Sequence, residues 1–560
     1  MSKNFTRRDF LKVGAGALTL TTMSALSGCS SNEATSSSSS SDTSGVTYNM
    51  PESWDYTTDL VVVGTGTTMY GAIKAVKSGL SVIALEAYSS PGGATGFSGG
   101  AAWLPLNRFS IEQGDTKEAC MTYLRKIARE IPIEDKVLEA YVDNSNPMFE
   151  FMESHFKDYG IVGNSGGKNG FGDYHAEWKG GRADAYRTIG WRKSDGAMDV
   201  AAWKDAYTKG FEEIGGKILL STKATKYVYK YDEMGVPVVL GLIAEQDGKE
   251  ISIQANKGVL VGAGGFEWNE KVRNSFLAVE TPYACSLPTN DGTMLLSTMG
   301  LGADLINMSE CFGMLTFREK ADEQKKNGQP CNIIFERWFP RQIIVNKYGR
   351  RFMNESVSYD DAWLPFATYD TSGQNEKINV PAWQIFDRKF VDETGFKKSY
   401  FIGAVDKRGV PPYFKEANSL EELADIIKVD KKGLVEEVAK WNEFCKAEKD
   451  LDFHRGENYM DQMFARMRDM SLPLMHNLGP IDTAPYYAAE IAPNTLGTNG
   501  GPKINENAQV MHVSGVPIPN LYACGNFAGF GGPGRGYPGA GGTVGPGQVM
   551  GFVAVNHIIG

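Results

Sequence analysis

The chain has 560 residues, enough for two or three domains around a large core. Apolar residues make up 42% and charged residues 22%, as in an ordinary globular protein rather than a disordered or fibrous one. A net charge of -10 argues against nucleic acid as a partner.

The N-terminus reads as an address rather than as fold. Thr6, Arg7, Arg8, Asp9, Phe10, Leu11 and Lys12 form a twin-arginine pattern. The apolar stretch 13–26 is interrupted by Gly and Thr and is too short to span a bilayer comfortably. Leu26, Ser27, Gly28 and Cys29 then resemble a bacterial lipobox, with Cys29 as a lipidated first mature residue. A plain secretion signal with a chance cysteine is the alternative. The sequence therefore divides into a signal, 1–29, and a Ser-rich tether, 30–54, that cannot form a core. The expectation is a membrane lipoprotein facing the extracytoplasmic side. The twin-arginine route carries folded proteins, which fits an enzyme loaded with cofactor before export.

Next comes a strand, a glycine turn, a helix, a second strand and an acid. Asp59 opens the apolar run Leu60, Val61, Val62 and Val63, rich in β-branched residues, which reads as a buried parallel strand. Gly64, Thr65 and Gly66 follow, and residues 67–78 show helical spacing until Gly79 ends the helix. The second strand, 81–85, closes on Glu86. Such a helix offers unpaired N–H groups and a positive dipole end to a pyrophosphate. Gly64, Gly66 and Thr67 are the candidate phosphate contacts. Glu86, about 20 residues after the turn, is the candidate ribose acceptor. The third glycine of the dinucleotide fingerprint is replaced by Met69. A second glycine-rich segment, 92–100, follows the acid, where a nicotinamide domain would proceed to another strand and helix. It indicates FAD, with Gly93, Ala94, Thr95, Ser98, Gly99 and Gly100 as contacts. The loop has no His, so the FAD is expected to be non-covalent.

The other cysteines, Cys120, Cys285, Cys311, Cys331, Cys445 and Cys524, are widely spaced. No C-x-x-C, haem-attachment or clustered iron–sulfur pattern occurs, and the six His show no metal-ligand spacing. Buried thiols are the default reading; a cluster built from distant cysteines stays open. Near the C-terminus, residues 534–547 hold glycine at high density around one phenol, Tyr537. A linker would be rich in Ser, so this reads as a place where backbone approaches a ligand.

At this point the chain resembles the 3-ketosteroid Δ1-dehydrogenases and their fumarate-reductase-type flavoprotein relatives. The resemblance rests on Gly92 and Gly93 through Trp103, Leu104 and Pro105; on the strand and turn 259–267 with Gly264; and on the closing segment 520–526 with Gly525 and Asn526. It covers about 55–560. It implies an α/β fold: a Rossmann-like FAD domain split in sequence, 55–305 and 477–560, with an inserted α+β catalytic (cap) domain, 306–476. The last helix would aim Gly542, Thr543 and Val544 at the flavin.

Two positions choose the branch. In fumarate-type reductases, a motif like Gly349, Arg350, Arg351, Phe352, Met353, Asn354, Glu355 is followed four residues later by a catalytic Arg. Tyr359 stands there in this chain. Their carboxylate-binding His pair is replaced by Leu496 and Gly497. A dicarboxylate needs cationic or strongly donating clamps, so fumarate is a poor candidate. The ketosteroid branch uses Tyr at the first position and carries a segment like Tyr537, Pro538, Gly539, Ala540, Gly541. By resemblance, the Tyr537 O–H and Gly541 N–H would bind the ketone oxygen as an oxyanion hole. Tyr359 would move the proton on the neighbouring carbon, and Tyr174 would support it. Arg535 is read equally as a substrate or pKa-tuning residue and as a salt-bridge residue. Arg350 and Arg351 read as structural pairs. Trp338, Phe339, Trp363 and Trp383 suggest a hydrophobic pocket wall, although each is more often core.

A lipid-tethered flavoprotein outside the cytoplasm cannot draw on NADH. The expectation is a reductase of a hydrophobic, 3-ketosteroid-like or other enone, fed by a membrane quinone or cytochrome, as suits anaerobic respiration on an organic acceptor. Quinone-linked oxidation fits the same facts. The alternatives are a fumarate- or urocanate-type reductase and, in another class, a non-catalytic solute-binding lipoprotein.

Overall fold

The computed structural model describes residues 46–560 apart from 198, 359, 395, 397–401, 469–473 and 475–476. The twin-arginine pattern, Cys29 and Tyr359 thus lie outside the described residues.

The strand Tyr56–Val63 buries Leu60, Val61, Val62 and Val63 on both faces. It pairs in parallel with Val82–Leu85 on one side and with Lys249–Val261 on the other. Lys217–Leu219 extends the sheet beyond Val82–Leu85. On its far edge, Lys249–Val261 pairs antiparallel with Pro237–Gln246 and then, over Val259 to Val261, in parallel with Pro517–Ala523. The continuous apolar runs reflect a parallel sheet covered on both faces. The crossover helix Met69–Lys77 buries Met69, Tyr70, Ala72, Ile73 and Ala75, and places Lys74 and Lys77 in its last turn, where the dipole favours cations.

The helix Val544–Ile559 is buried over nearly its whole length, as a helix apolar all round must be. It packs on the crossover helix at Gly71, where a Cβ would lie 2.3 Å from Gly551 O. The third fingerprint glycine, absent at Met69, thus has its packing role filled two residues later.

A second sheet surrounds Tyr486–Thr498, which pairs with Tyr283–Ala284, Cys311–Phe317, Ala382–Asp387 and Lys415–Ala417. Gln342–Asn346 pairs with Ala382–Asp387 beyond. The period of two sends Ile343 and Val345 to one core, with Leu434 and Trp441, and Ile344 to another, with Phe317 and Phe386. Tyr486–Thr498, which the sequence division assigns to the last part of the cofactor domain, is thus a strand of this second sheet. The chain returns to the first sheet at Gln509–Met511 and Pro517–Ala523.

Behind the second sheet lies a buried ion network. Arg351 forks onto Glu355 through Nε and Nη2, both at 2.8 Å, and reaches Asp450 at 2.9 Å. Arg455 adds a third contact to Glu355 at 3.1 Å. Burial alone would raise the Glu355 carboxyl, but Arg351 and Arg455 hold it below the usual carboxylate range. Arg350 pairs at the surface with Glu436 and Glu437. Arg351→Ala would leave buried Asp450 without its cation and Glu355 with Arg455 alone, so a loss of about 3–5 kcal/mol is expected in denaturant unfolding.

Candidate active site

A single cavity of about 810 Å³ runs from the ends of the parallel strands to Tyr537. At one end, three glycine turns meet. Gly64 has φ +87°, and a Cβ there would lie 2.4 Å from Gly262 O. A Cβ on Gly66 would lie 2.8 Å from Thr95 Oγ1, and one on Gly525 would lie 2.9 Å from Thr67 Oγ1. Neither the crossover helix nor the C-terminal helix has a side-chain cap at its N-terminus, and Thr67, Thr543 and Val544 all line the cavity. Two open, positive helix ends beside closely packed glycine backbone are what a dinucleotide pyrophosphate requires.

Glu86 lines the cavity at the end of its strand. Its Oε2 accepts from the Thr65 N–H at 3.1 Å and the Thr65 hydroxyl at 2.5 Å, and its Oε1 accepts from the Tyr88 N–H at 2.9 Å. Thr65 Oγ1 in turn accepts from the Gly92 N–H at 2.8 Å. Glu86 therefore ties the two glycine loops together as well as facing the cavity. Burial, opposed by Thr65 and Tyr88, raises its carboxyl.

Among the other expected cofactor contacts, Gly93, Ala94, Thr95, Ser98, Gly99, Gly264 and Asn526 line the cavity. Gly100 and Gly542 do not: Gly100 packs on the Trp203 ring, and Gly542 on Pro538. The wall also includes residues that the sequence did not point to. These are Thr222, Lys223 and Ala224, next in chain after the edge strand, and the turn Asn290, Asp291, Gly292, Thr293. An N-D-G-T turn before a helix was a usable signal for the second group; nothing local marks the first.

At the other end, Tyr537 is 5% exposed. Its ring stacks on Tyr174 at 5.5 Å and 23°, and meets Phe312 edge-on at 5.3 Å. Phe464 meets Tyr174 edge-on and stacks on Trp338 at 3.8 Å. Phe171, Met314, Ile333 and Leu496 complete an apolar wall, with Gly541 also on the cavity. Of the four aromatic residues expected on this wall, Trp338 is there. Phe339 and Trp363 belong to one core and Trp383 to another, because their strands and turns face the second sheet. Among the described residues of the wall, the charged ones are Glu86, Lys223 and Asp291, all at the nucleotide end, and Lys223 pairs with Asp291 at 2.5 Å.

The segment around Tyr537 is held from three sides. Its N–H donates to Asp360 Oδ2 at 2.9 Å. Pro538 O accepts from the Tyr174 N–H at 3.0 Å and the Tyr123 hydroxyl at 2.7 Å. Asn499 Nδ2 donates to Gly534 O. Asp173, beside Tyr174, is pushed up to about 6 by burial, although Arg187 opposes this at 2.7 Å. Arg535 pairs with Glu310 at 2.7 Å and Glu130 at 3.3 Å and is not on the cavity wall, so of its two readings the structure supports the salt bridge.

The described residues on either side of Tyr359, 354–358 and 360–361, are equally constrained. Asn354 donates to Asp461 at 2.8 Å. Arg337 Nη1 donates to Glu355 O and Val357 O. Asn477 donates to the Ser356 hydroxyl. Arg129 forks onto Asp361 at 2.6 and 2.8 Å.

Comparison with known proteins agrees with this geometry. The family model described as FAD binding domain matches residues 59–544. The chain is similar to a 4-oxocyclohexanecarboxylate 2-dehydrogenase of Sinomonas cyclohexanicum, at 31% identity over 90% of this chain and 93% of that protein. It is similar to a 3-oxosteroid 1-dehydrogenase of Mycobacterium tuberculosis, at 29% identity over 89% and 98%. It is also similar to the crystal structure of 3-ketosteroid Δ1-dehydrogenase from Sterolibacterium denitrificans in complex with 1,4-androstadiene-3,17-dione, with a TM-score of 0.75, 26% identity and coverage of 90% and 99%.

A Rossmann-like sheet, a glycine-walled nucleotide groove and a cap-sided apolar cavity define an FAD-binding flavoprotein. Within that class, the chain belongs to the FAD binding domain family and is like its ketone-acting members, the 3-ketosteroid Δ1-dehydrogenases among them. It is an FAD-dependent oxidoreductase of the type that acts on CH–CH groups.

Proposed function

We propose that the protein acts on the C–C or C=C bond next to a ketone in a hydrophobic, 3-ketosteroid-like or other cyclic enone. We propose further that it works outside the cytoplasm as a reductase fed by electrons from the membrane. The observation that carries the substrate reading is Tyr537, buried on the wall of an apolar, aromatic cavity, with Leu496 where the carboxylate-binding relatives place His. A ketone oxygen needs donors and no counter-charge. A carboxylate needs a cation, and the described wall offers none at this end.

In this reading, the Tyr537 O–H and the Gly541 N–H donate to the ketone oxygen and polarise the carbonyl. Tyr359 holds the proton that is placed on, or taken from, the carbon next to it, and Tyr174 stacks behind Tyr537. A phenol has an ordinary pKa of about 10, so Tyr359 serves better as the acid of a reduction than as an unaided base. The glycine turns and the two helix ends would hold FAD, which when bound would supply the hydride exchange at the adjoining carbon. The aromatic wall excludes water and orients the flat ring.

The twin-arginine pattern, the lipobox and the Ser-rich tether support the location and, through it, the reductive direction. No helix among the described residues is long and apolar enough to cross a membrane. The similar proteins of Sinomonas cyclohexanicum and Mycobacterium tuberculosis are both dehydrogenases, which favours the oxidative direction as a second reading.

The test is anaerobic turnover of purified yellow protein with reduced viologen. Reduction of a cyclic enone or 3-keto-4-ene steroid is expected, with fumarate and urocanate unreactive. Turnover of fumarate without enones overturns the ketone reading. Oxidation of saturated ketones with an artificial acceptor, without enone reduction, overturns the direction. Protease treatment of intact cells checks the location: degradation is expected, and full protection overturns it.

A further inference from the structure

The strap that carries Tyr359 and the segment that carries Tyr537 are far apart in sequence. Asp360 joins them: it is 3% exposed, its Oδ2 accepts the Tyr537 N–H at 2.9 Å, and its Oδ1 accepts from the Ser358 hydroxyl. A third segment reaches the same carboxylate. A ring nitrogen of His175 and one carboxylate oxygen each of Asp360 and Asp361 lie within 4.8 Å of one another. His175 is the residue after Tyr174, its ring stacks on Trp178 at 3.9 Å, and its Nε2 is buried without a hydrogen-bond partner among the described residues. Asp361 is already taken in a fork by Arg129, so the cluster reads as a charge-setting device rather than as a cation site.

We propose that Asp360 is a positioning residue of the active site, whose buried carboxylate fixes the main chain at Tyr537, with His175 and Arg129 keeping that carboxylate charged. This rests on the ketone-site reading of Tyr537. A backbone N–H bound to a carboxylate is a charge-assisted bond, stronger than one to a neutral acceptor. It sets where the Tyr537 phenol sits, and an oxyanion donor misplaced by about 1 Å can cost on the order of 100-fold in rate.

The clamp also carries a pH dependence. Burial, with Asp361 next, raises the Asp360 carboxyl to about 6, while His175, the Ser358 hydroxyl and Arg129 oppose the rise. Arg337, behind the strap, also feels Asp360, and Glu177 lies 3.8 Å from His175 Nδ1. The charged form makes the stronger clamp. The clamp is therefore half lost at about pH 6, strengthening above that value and weakening below it.

The test uses the holoprotein with Asp360→Ala, Asp360→Asn and His175→Gln. Three readouts are taken: kcat and KM for an enone between pH 5 and 8, binding of a saturated ketone by perturbation of flavin absorption, and amide exchange of the peptide containing Tyr537. Asp360→Ala is expected to lower kcat by roughly 10–100-fold with flavin retained, and to speed exchange at Tyr537. Asp360→Asn keeps an oxygen acceptor, so it should stay within roughly tenfold of wild type at pH 7.5 while losing the acid limb near pH 6. His175→Gln should move that limb upward. Wild-type kcat and exchange in Asp360→Ala, or an unchanged acid limb in Asp360→Asn, overturns the proposal. If the wild type neither turns over nor binds ketones, the ketone reading falls, while the exchange of the Tyr537 amide still decides the clamp.

Discussion

Tyr537→Phe should lower enone turnover by roughly 100-fold or more while the protein stays yellow, the cost of removing one oxyanion donor. The substitution keeps the ring, so the stacking on Tyr174 and the edge contact with Phe312 survive. The main-chain clamps on Asp360, Tyr174 and Tyr123 survive as well, because they use backbone atoms of residues 537 and 538. What is lost is the hydroxyl alone. The loss should fall mainly on kcat, since the hydrogen bond strengthens as charge develops on the ketone oxygen. Steady-state kinetics at matched flavin content checks this; near-normal kcat would remove Tyr537 from the chemistry.

Gly64→Ala should give protein purified largely without FAD. The residue has φ +87°, which costs an L-residue about 1–2 kcal/mol, and its Cβ would meet Gly262 O at 2.4 Å, with backbone on both sides unable to yield. The turn must open, and it is the turn that leads into the crossover helix. A few kcal/mol taken from the bound state corresponds to roughly 100-fold or more in affinity. Gly79→Ala is the matched control. Its φ is +88°, yet nothing lies within 4 Å of its Cβ, so the backbone cost applies without the clash. Flavin-to-protein ratios should separate the two variants. Equal retention of FAD would show that the close approach of the two turns is not what holds the nucleotide groove.

The parts of this account that were legible in the sequence are those encoded locally. The run from Asp59 to Glu86 carries its own strand, turn, helix and strand, and the structure forms all four. The glycine-dense C-terminal segment also announced itself, because close backbone approach is a property of residue type. Long-range choices were not legible. Tyr486–Thr498 is an apolar strand that either sheet could have taken, and only pairing assigns it to the second. Trp338 and Trp363 look alike in sequence, yet one faces the cavity and the other a core. Arg535 showed no sign of whether Glu310 or a ligand would answer it. Asp360 and His175 meet from positions 185 apart in the chain, and no spacing rule connects them.

The central claim is that the far end of the cavity is a ketone site and not a carboxylate clamp. The most direct measurement is the reoxidation of anaerobically reduced protein, followed by flavin absorbance in a stopped-flow instrument with one reducible compound at a time. The account predicts rapid, saturable return of the oxidised spectrum with a hydrophobic cyclic enone, a rate lowered by roughly 100-fold in Tyr537→Phe, and no return with fumarate. Rapid reoxidation by fumarate, with enones inert, would contradict it.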